Sequence, residues 1–121
     1  VSAQGDPLGL VVRCRESEPI KVFVFWRASL TTTRPVPVSY RFDKGRETTQ
    51  PFRPSTDGGA TFAPDPLGFV ASMARAHRLD VSTFADRTSR RYRASFSLDG
   101  FSSAFRNACA WHPEFEASIP R

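Results

Sequence analysis

No apolar run in this chain exceeds five residues. The longest, Val22 to Trp26, falls far short of the ~20 that a helix needs to cross a bilayer, so no transmembrane helix is expected. Histidine and cysteine each occur twice, as His77, His112, Cys14 and Cys109, with no Cys-x-x-Cys pair and no zinc-type spacing between them. Cys109 and His112 could share a helix face, yet a structural zinc site would still lack two ligands, so no metal is expected. The chain has no G-x-x-x-x-G-K-[ST] and no G-x-G-x-x-G, which removes the common phosphate-cradling loops, and no D-x-D-x-D-G calcium loop. A G-x-S-x-G elbow is also missing, so His77 and the nearby Asp80 have no serine to activate. No catalytic residue, cofactor or small-molecule substrate is expected. There is no internal repeat and no low-complexity run.

What is present fits one domain. With 121 residues and 40% hydrophobic content, the chain suits a single core over about 8–112, followed by an unpatterned tail at 113–121. A chain this size buries roughly 65% of the surface it exposes when unfolded, so a cross-link would help. Ten prolines and eleven phenylalanines favour strands and firm turns over a helical bundle. The first residue is Val1 rather than Met, which reads as an amino terminus already processed or trimmed; a removed signal peptide is the matching expectation. Net charge is +5 and the pI is near 10.0, basic enough to consider nucleic acid or anionic lipid as partners. The 15 arginines and two lysines are spread along the whole chain, however, and a coding bias explains that as easily as a binding device.

Period-two alternation marks the strands. Residues 8–14 place Leu10, Val12 and Cys14 on one face. Residues 20–27 put Ile20, Val22, Val24 and Trp26 on one face and Phe23 and Phe25 on the other; two apolar faces predict a central strand covered on both sides. Residues 36–42 alternate most cleanly, and Pro37, which cannot donate to a ladder, predicts an edge position for that strand's beginning. Turns at Asp43-Lys44-Gly45-Arg46 and Thr56-Asp57-Gly58-Gly59 lead into strands at 47–53 and 60–63. Segments 79–84 and 91–98 form a hairpin with Tyr92, Ala94, Phe96 and Leu98 inward.

Two helices are expected. Asp65-Pro66 is an N-cap with proline in the first turn, and Leu67, Val70, Ala71 and Ala74 keep helical spacing to about His77. Asp99-Gly100 opens the second, with Phe101, Ala104, Phe105, Ala108 and Trp111 as its stripe, Cys109 at the stripe's edge, and His112-Pro113 as its stop. Strands first, helices late and no β-α-β rhythm give an α+β fold with a largely antiparallel sheet, sandwich-like or a half-open barrel.

Two features have no obvious place in that core. Arg87, Arg90, Arg91 and Arg93 crowd the hairpin's outer face, and Phe69 with Met73 lie on the first helix away from Leu67 and Ala71. Both are candidate partner-binding surfaces, since arginine, methionine and aromatics are enriched at interfaces. Cys14 and Cys109, at the two ends of the core, fit two buried thiols or a disulfide, and export would favour the disulfide.

Leu10-Val11-Val12-Arg13-Cys14, Tyr40-Arg41-Phe42-Asp43, Ser55-Thr56-Asp57-Gly58, Phe96-Ser97-Leu98-Asp99-Gly100-Phe101 and Ala108-Cys109-Ala110-Trp111 together resemble the VasI/TagO family of type VI secretion-associated accessory proteins. The resemblance spans about 9–111. It implies an exported, periplasmic, β-rich domain in which Cys14 and Cys109 are the two motif cysteines, with no catalytic set. On that basis the chain is expected to be a disulfide-bonded, non-catalytic accessory subunit that binds another protein in an envelope or secretion assembly. A nucleic-acid- or anion-binding module using the arginine-rich hairpin is the alternative, and a small hydrolase the least favoured reading.

Overall fold

A computed structural model describes residues 9–26, 30, 34–84 and 91–118. Seven strands, β1 (Gly9–Arg13), β2 (Lys21–Phe25), β3 (Val36–Phe42), β4 (Thr48–Pro54), β5 (Ala60–Phe62), β6 (Arg78–Phe84) and β7 (Arg91–Ser97), join in the order β1-β2-β5-β4-β3-β6-β7. Every pairing is antiparallel. The sheet curls into a nearly closed, barrel-like form, and with the helices α1 (Pro66–Arg75), α2 (Phe101–Cys109) and α3 (Phe115–Ser118) the fold is α+β as expected.

The inner face is built by the alternation read from the sequence. Leu10, Val22, Val24, Val36, Val38, Phe52, Leu79, Val81 and Phe96 are buried in one cluster with Ile20, Trp26 and the helix residues. Trp26 satisfies its buried indole N–H on the Thr61 hydroxyl at 2.9 Å, which explains a polar residue at full burial in β5. β4 belongs to both halves of the sheet. It pairs with β3 over five positions but with β5 only at Arg53 and Pro54, because β5 ends at Phe62.

β3 lies between β4 and β6, but the β6 pairing begins only at Ser39, so the strand's beginning has a ladder on the β4 side alone, as Pro37 predicts. Pro37 lies opposite Pro51, and its carbonyl accepts the Thr83 hydroxyl at 2.8 Å. The helices differ from the expectation. α1 has the expected Asp65 cap, which accepts from the Gly68 N–H, but it buries Phe69, Val70 and Met73 rather than the Leu67/Ala71/Ala74 side. α2 buries Phe101, Phe105 and Cys109, so Cys109 is central to the stripe, whereas Ala104, Ala108 and Trp111 are exposed. Its N-cap is Gly100 in the left-handed region (φ 80°), a backbone state that glycine adopts without penalty. The tail is not unpatterned up to its end: α3 makes a third helix, and its Phe115 and Ser118 are buried.

Candidate interaction surfaces and the disulfide-tied terminus

Cys14 and Cys109 form a disulfide across 95 residues, with Cα atoms 5.8 Å apart. Two more ties follow from the same approach of chain ends. The Glu114 carboxylate accepts the Ile20 N–H at 2.6 Å. The buried His112 ring lies 2.7 Å from the Glu18 carbonyl through Nε2, while its Nδ1 accepts the Glu114 N–H at 3.1 Å. Because a backbone N–H can only donate, Nδ1 is the unprotonated nitrogen and Nε2–H donates to Glu18. Both ring nitrogens are thus engaged in structure, and the thiol beside them is bridged. His77, at the other end of the molecule's helical layer, is exposed and 3.5 Å from Asp99, not beside Asp80. Among the described residues no group of three or more His, Cys, Asp or Glu is placed to hold a metal ion.

The motif residues turn out to be turn chemistry. Asp43 sits at positive φ (53°); its carboxylate accepts the N–H groups of His77 and Arg78, and its own N–H donates to the Arg78 carbonyl. One side chain therefore seats the start of β6 against the end of β3. Asp57 accepts from the Gly59 N–H and the Ser55 hydroxyl, and these bonds hold its carboxyl below the usual carboxylate range. Trp111 donates to the Ala108 carbonyl and lies beside His112.

Of the candidate arginines, Arg87 and Arg90 lie outside the described residues. Arg91 and Arg93 are exposed on β7, as the alternation predicts. Arg91 pairs across the hairpin with Phe84, its guanidinium 5.5 Å over that ring, and Phe84 is 54% exposed. Arg93 lines a shallow polar depression of about 290 Å³ together with Arg41, Arg78, Asp80 and Glu47. Asp80 is the centre of a network there: Arg78 Nε at 2.9 Å, Ser95 Oγ at 2.5 Å and Arg41 at 3.7 Å. Partial burial opposes its ionisation, but the Ser95 hydroxyl and the two guanidiniums outweigh that and hold its carboxyl below the usual range. Arg78 and Arg41 thus share one carboxylate, two cations against one anion, and Arg93 stands among the described residues without an ion-pair partner.

Phe69 and Met73 do not form a surface ridge. They are 6% and 1% exposed, and Phe69 is ringed by Tyr40, Phe42 and Phe52 at centroid distances of 5.1–6.3 Å. The ring partners of Phe69 come from β3 and β4, which the helix's own periodicity could not reveal, and Met73 joins the same core cluster.

A surface that sequence reasoning did not single out lies on the outer face of β1, β2, β5 and β4. Phe23 meets Phe25 edge-on at 5.4 Å and Phe62 at a tilt at 5.1 Å, with Arg13 over Phe23 and Arg53 over Phe62. Phe25 is 46% exposed, and no helix covers this side of β2 among the described residues, contrary to the two-sided covering expected. The signal was the second apolar face of β2 itself.

No family model and no curated protein matches the sequence. The resemblance to the VasI/TagO family is accordingly carried by its motifs alone. Among solved structures, the chain is similar to invasion-associated protein B of Bartonella henselae, with a TM-score of 0.58 and 15% identity over 84% of this chain and 72% of that one. An identity that low reports a shared fold, and the fold shared is this seven-stranded α+β arrangement.

Proposed function

We propose that the chain is a non-catalytic, exported subunit that binds another protein in a bacterial envelope or secretion assembly, using the outer face of the β6–β7 hairpin. The observation that carries this reading is the juxtaposition of exposed Phe84, the Arg91 guanidinium over its ring, and Arg93, which has no ion-pair partner among the described residues, all on a hairpin whose strands pair over seven positions and which joins the sheet through four pairs with β3. An exposed aromatic beside arginines is the composition of an interface core, and a rigid strand presents it at small entropic cost. The periplasmic or extracytoplasmic location is supported by the disulfide, since such bonds persist in oxidising compartments. No helix among the described residues is long and apolar enough to cross a membrane. The motif resemblance supports the accessory role in secretion, and the fold neighbour's name, invasion-associated protein, fits work at a cell envelope.

The nucleic-acid alternative is weakened by Asp80, whose carboxylate engages two of the four arginines on this face and offsets one of their charges. The test is co-isolation of a cross-linked partner from the native envelope, followed by reconstitution with purified components. Phe84→Ala with Arg93→Ala should break the reconstituted complex while the thermal transition is unchanged. An intact complex with that variant refutes the site, and retention on nucleic acid that falls linearly in log salt would favour the alternative.

A further inference from the structure

We infer that the groove where β2 and β4 part is a second docking site, and that its occupant is an extended protein segment carrying both carboxylates and apolar side chains. The inference does not rest on the hairpin surface. β5 ends at Phe62, so the chain before and at the start of β2 and the middle of β4 stand on either side of a gap with no strand between them. The result is an open groove of about 360 Å³.

Its chemistry is narrow. Five of its lining residues are prolines, among them Pro51, Pro64 and Pro66, and a proline has no N–H to offer. Pro51 faces Pro37 across the β3–β4 ladder, so the edge on which a ladder donor would be needed next is the groove side, where it is missing. The Ile20 N–H is taken by Glu114 and the Ala63 N–H by the Val22 carbonyl. A partner strand therefore cannot zip in by backbone pairing, and what the groove offers is apolar contact with proline rings and Phe62. The ionisable side chains that line it are Lys21 and Arg53, both cations, with no carboxylate among the lining residues. Lys21 shares Glu18 at 3.7 Å with Arg13 and Arg15, three cations against one carboxylate, so positive charge is left over at the rim. Arg53 lies 5.1 Å over the Phe62 ring and has no carboxylate partner among the described residues, so it can pair with an incoming anion. From there the aromatic row runs on through Phe23 to exposed Phe25. A concave site suits an inserted chain better than a flat lipid surface, and Phe23 is too buried to insert into one.

The experiment selects a random-peptide display library on the full oxidised chain, then titrates the synthesised consensus peptide into isotope-labelled protein. Enriched peptides should be net acidic with aromatic or aliphatic residues, and amide shifts should concentrate at 20–22, 53 and 62–63. The double substitution Lys21→Glu with Arg53→Glu should weaken that peptide by about tenfold or more, since it replaces two attractions by two repulsions. Phe84→Ala with Arg93→Ala should leave it unchanged, which separates this site from the hairpin. The inference is overturned by no enrichment, by enrichment of basic or uncharged sequences, by shifts at 84 and 91–93 instead, or by full affinity in the folded double variant. Sedimentation with phosphatidylglycerol vesicles that is lost in Phe25→Ser would likewise overturn it, by assigning the face to a membrane.

Discussion

Removing the Cys14–Cys109 bridge is the perturbation whose size follows most directly from this fold. The bridge closes 95 residues, nearly the whole described chain, and the chain-entropy relation gives a ceiling of about 4.7 kcal/mol for a loop of about 100 residues. Two features of the native state decide how much of that is realised. Reduction leaves the Glu114 to Ile20 and His112 to Glu18 hydrogen bonds in place, so the C-terminal segment keeps its seat and the folded structure should survive. The effect then lies chiefly in the greater freedom of the unfolded chain, and the usual yield of about 2–4 kcal/mol is expected. For a chain this long, ~1 kcal/mol corresponds to about 4 °C, so Tm should fall by about 8–16 °C. The assay is urea and thermal unfolding of the oxidised protein, of the reduced protein, and of Cys14→Ala with Cys109→Ala. The double variant should match the reduced protein and show a larger m-value, because its denatured state is less compact. Unfolding of all three within about 1 kcal/mol would refute the reasoning, as would two titratable thiols in the unfolded, unreduced protein.

Phe69→Ala should cost about 3–5 kcal/mol, the range for emptying a buried aromatic site, because three rings of β3 and β4 close around it; an unchanged urea midpoint would return Phe69 to the surface. His112→Ala should cost about 1–3 kcal/mol by stranding the Glu18 carbonyl and the Glu114 N–H, while His77→Ala, at an exposed position, should leave stability unchanged; equal effects of the two would refute the assigned tie. Asp80 has a folded pKa below its unfolded value, so its stabilisation is fully present above the unfolded value of about 3.9 and is lost as pH falls through the lower folded one. Asp80→Asn should accordingly melt below wild type near neutral pH and converge with it in acid, and a difference that persists below both values would contradict the network.

The strands were legible because each carries a two-residue period on a half-buried surface, and the outcome follows residue by residue. Val36 and Val38 point in while Pro37 points out, and Phe96 is buried between exposed Ser95 and Ser97. The two longer helices were legible as helices but not in phase. In α1 the spacing of Leu67, Val70, Ala71 and Ala74 is regular, yet burying Phe69 and Met73 removes far more apolar surface than burying two alanines, and the larger side chains set the rotation. In α2, Trp111 fits the helical period in sequence but lies beyond Cys109, where the helix ends, and there the indole donates to the Ala108 carbonyl and stays 56% exposed. α3, at four residues, is too short to show any period.

The candidate surfaces illustrate a different limit, because a pattern along one strand cannot show what stands on the next. The outward alternation of Arg91 and Arg93 was readable, but the Asp80 that Arg41 and Arg78 share on the same face comes from a separate strand, and only the register brings them together. β2 carries the sharper lesson. Its two apolar faces predicted two covering layers; one is the core, and on the other Phe23 is shielded by neighbours within its own sheet, Phe62 and Arg13, leaving Phe25 as the exposed remainder. Burial of a strand's second face can thus be achieved sideways, by large rings and guanidiniums lying along the sheet, as well as by a layer above it. Arg53 lies over Phe62 in the same way, so both rings on this face are screened by a guanidinium from a neighbouring strand rather than by a second layer.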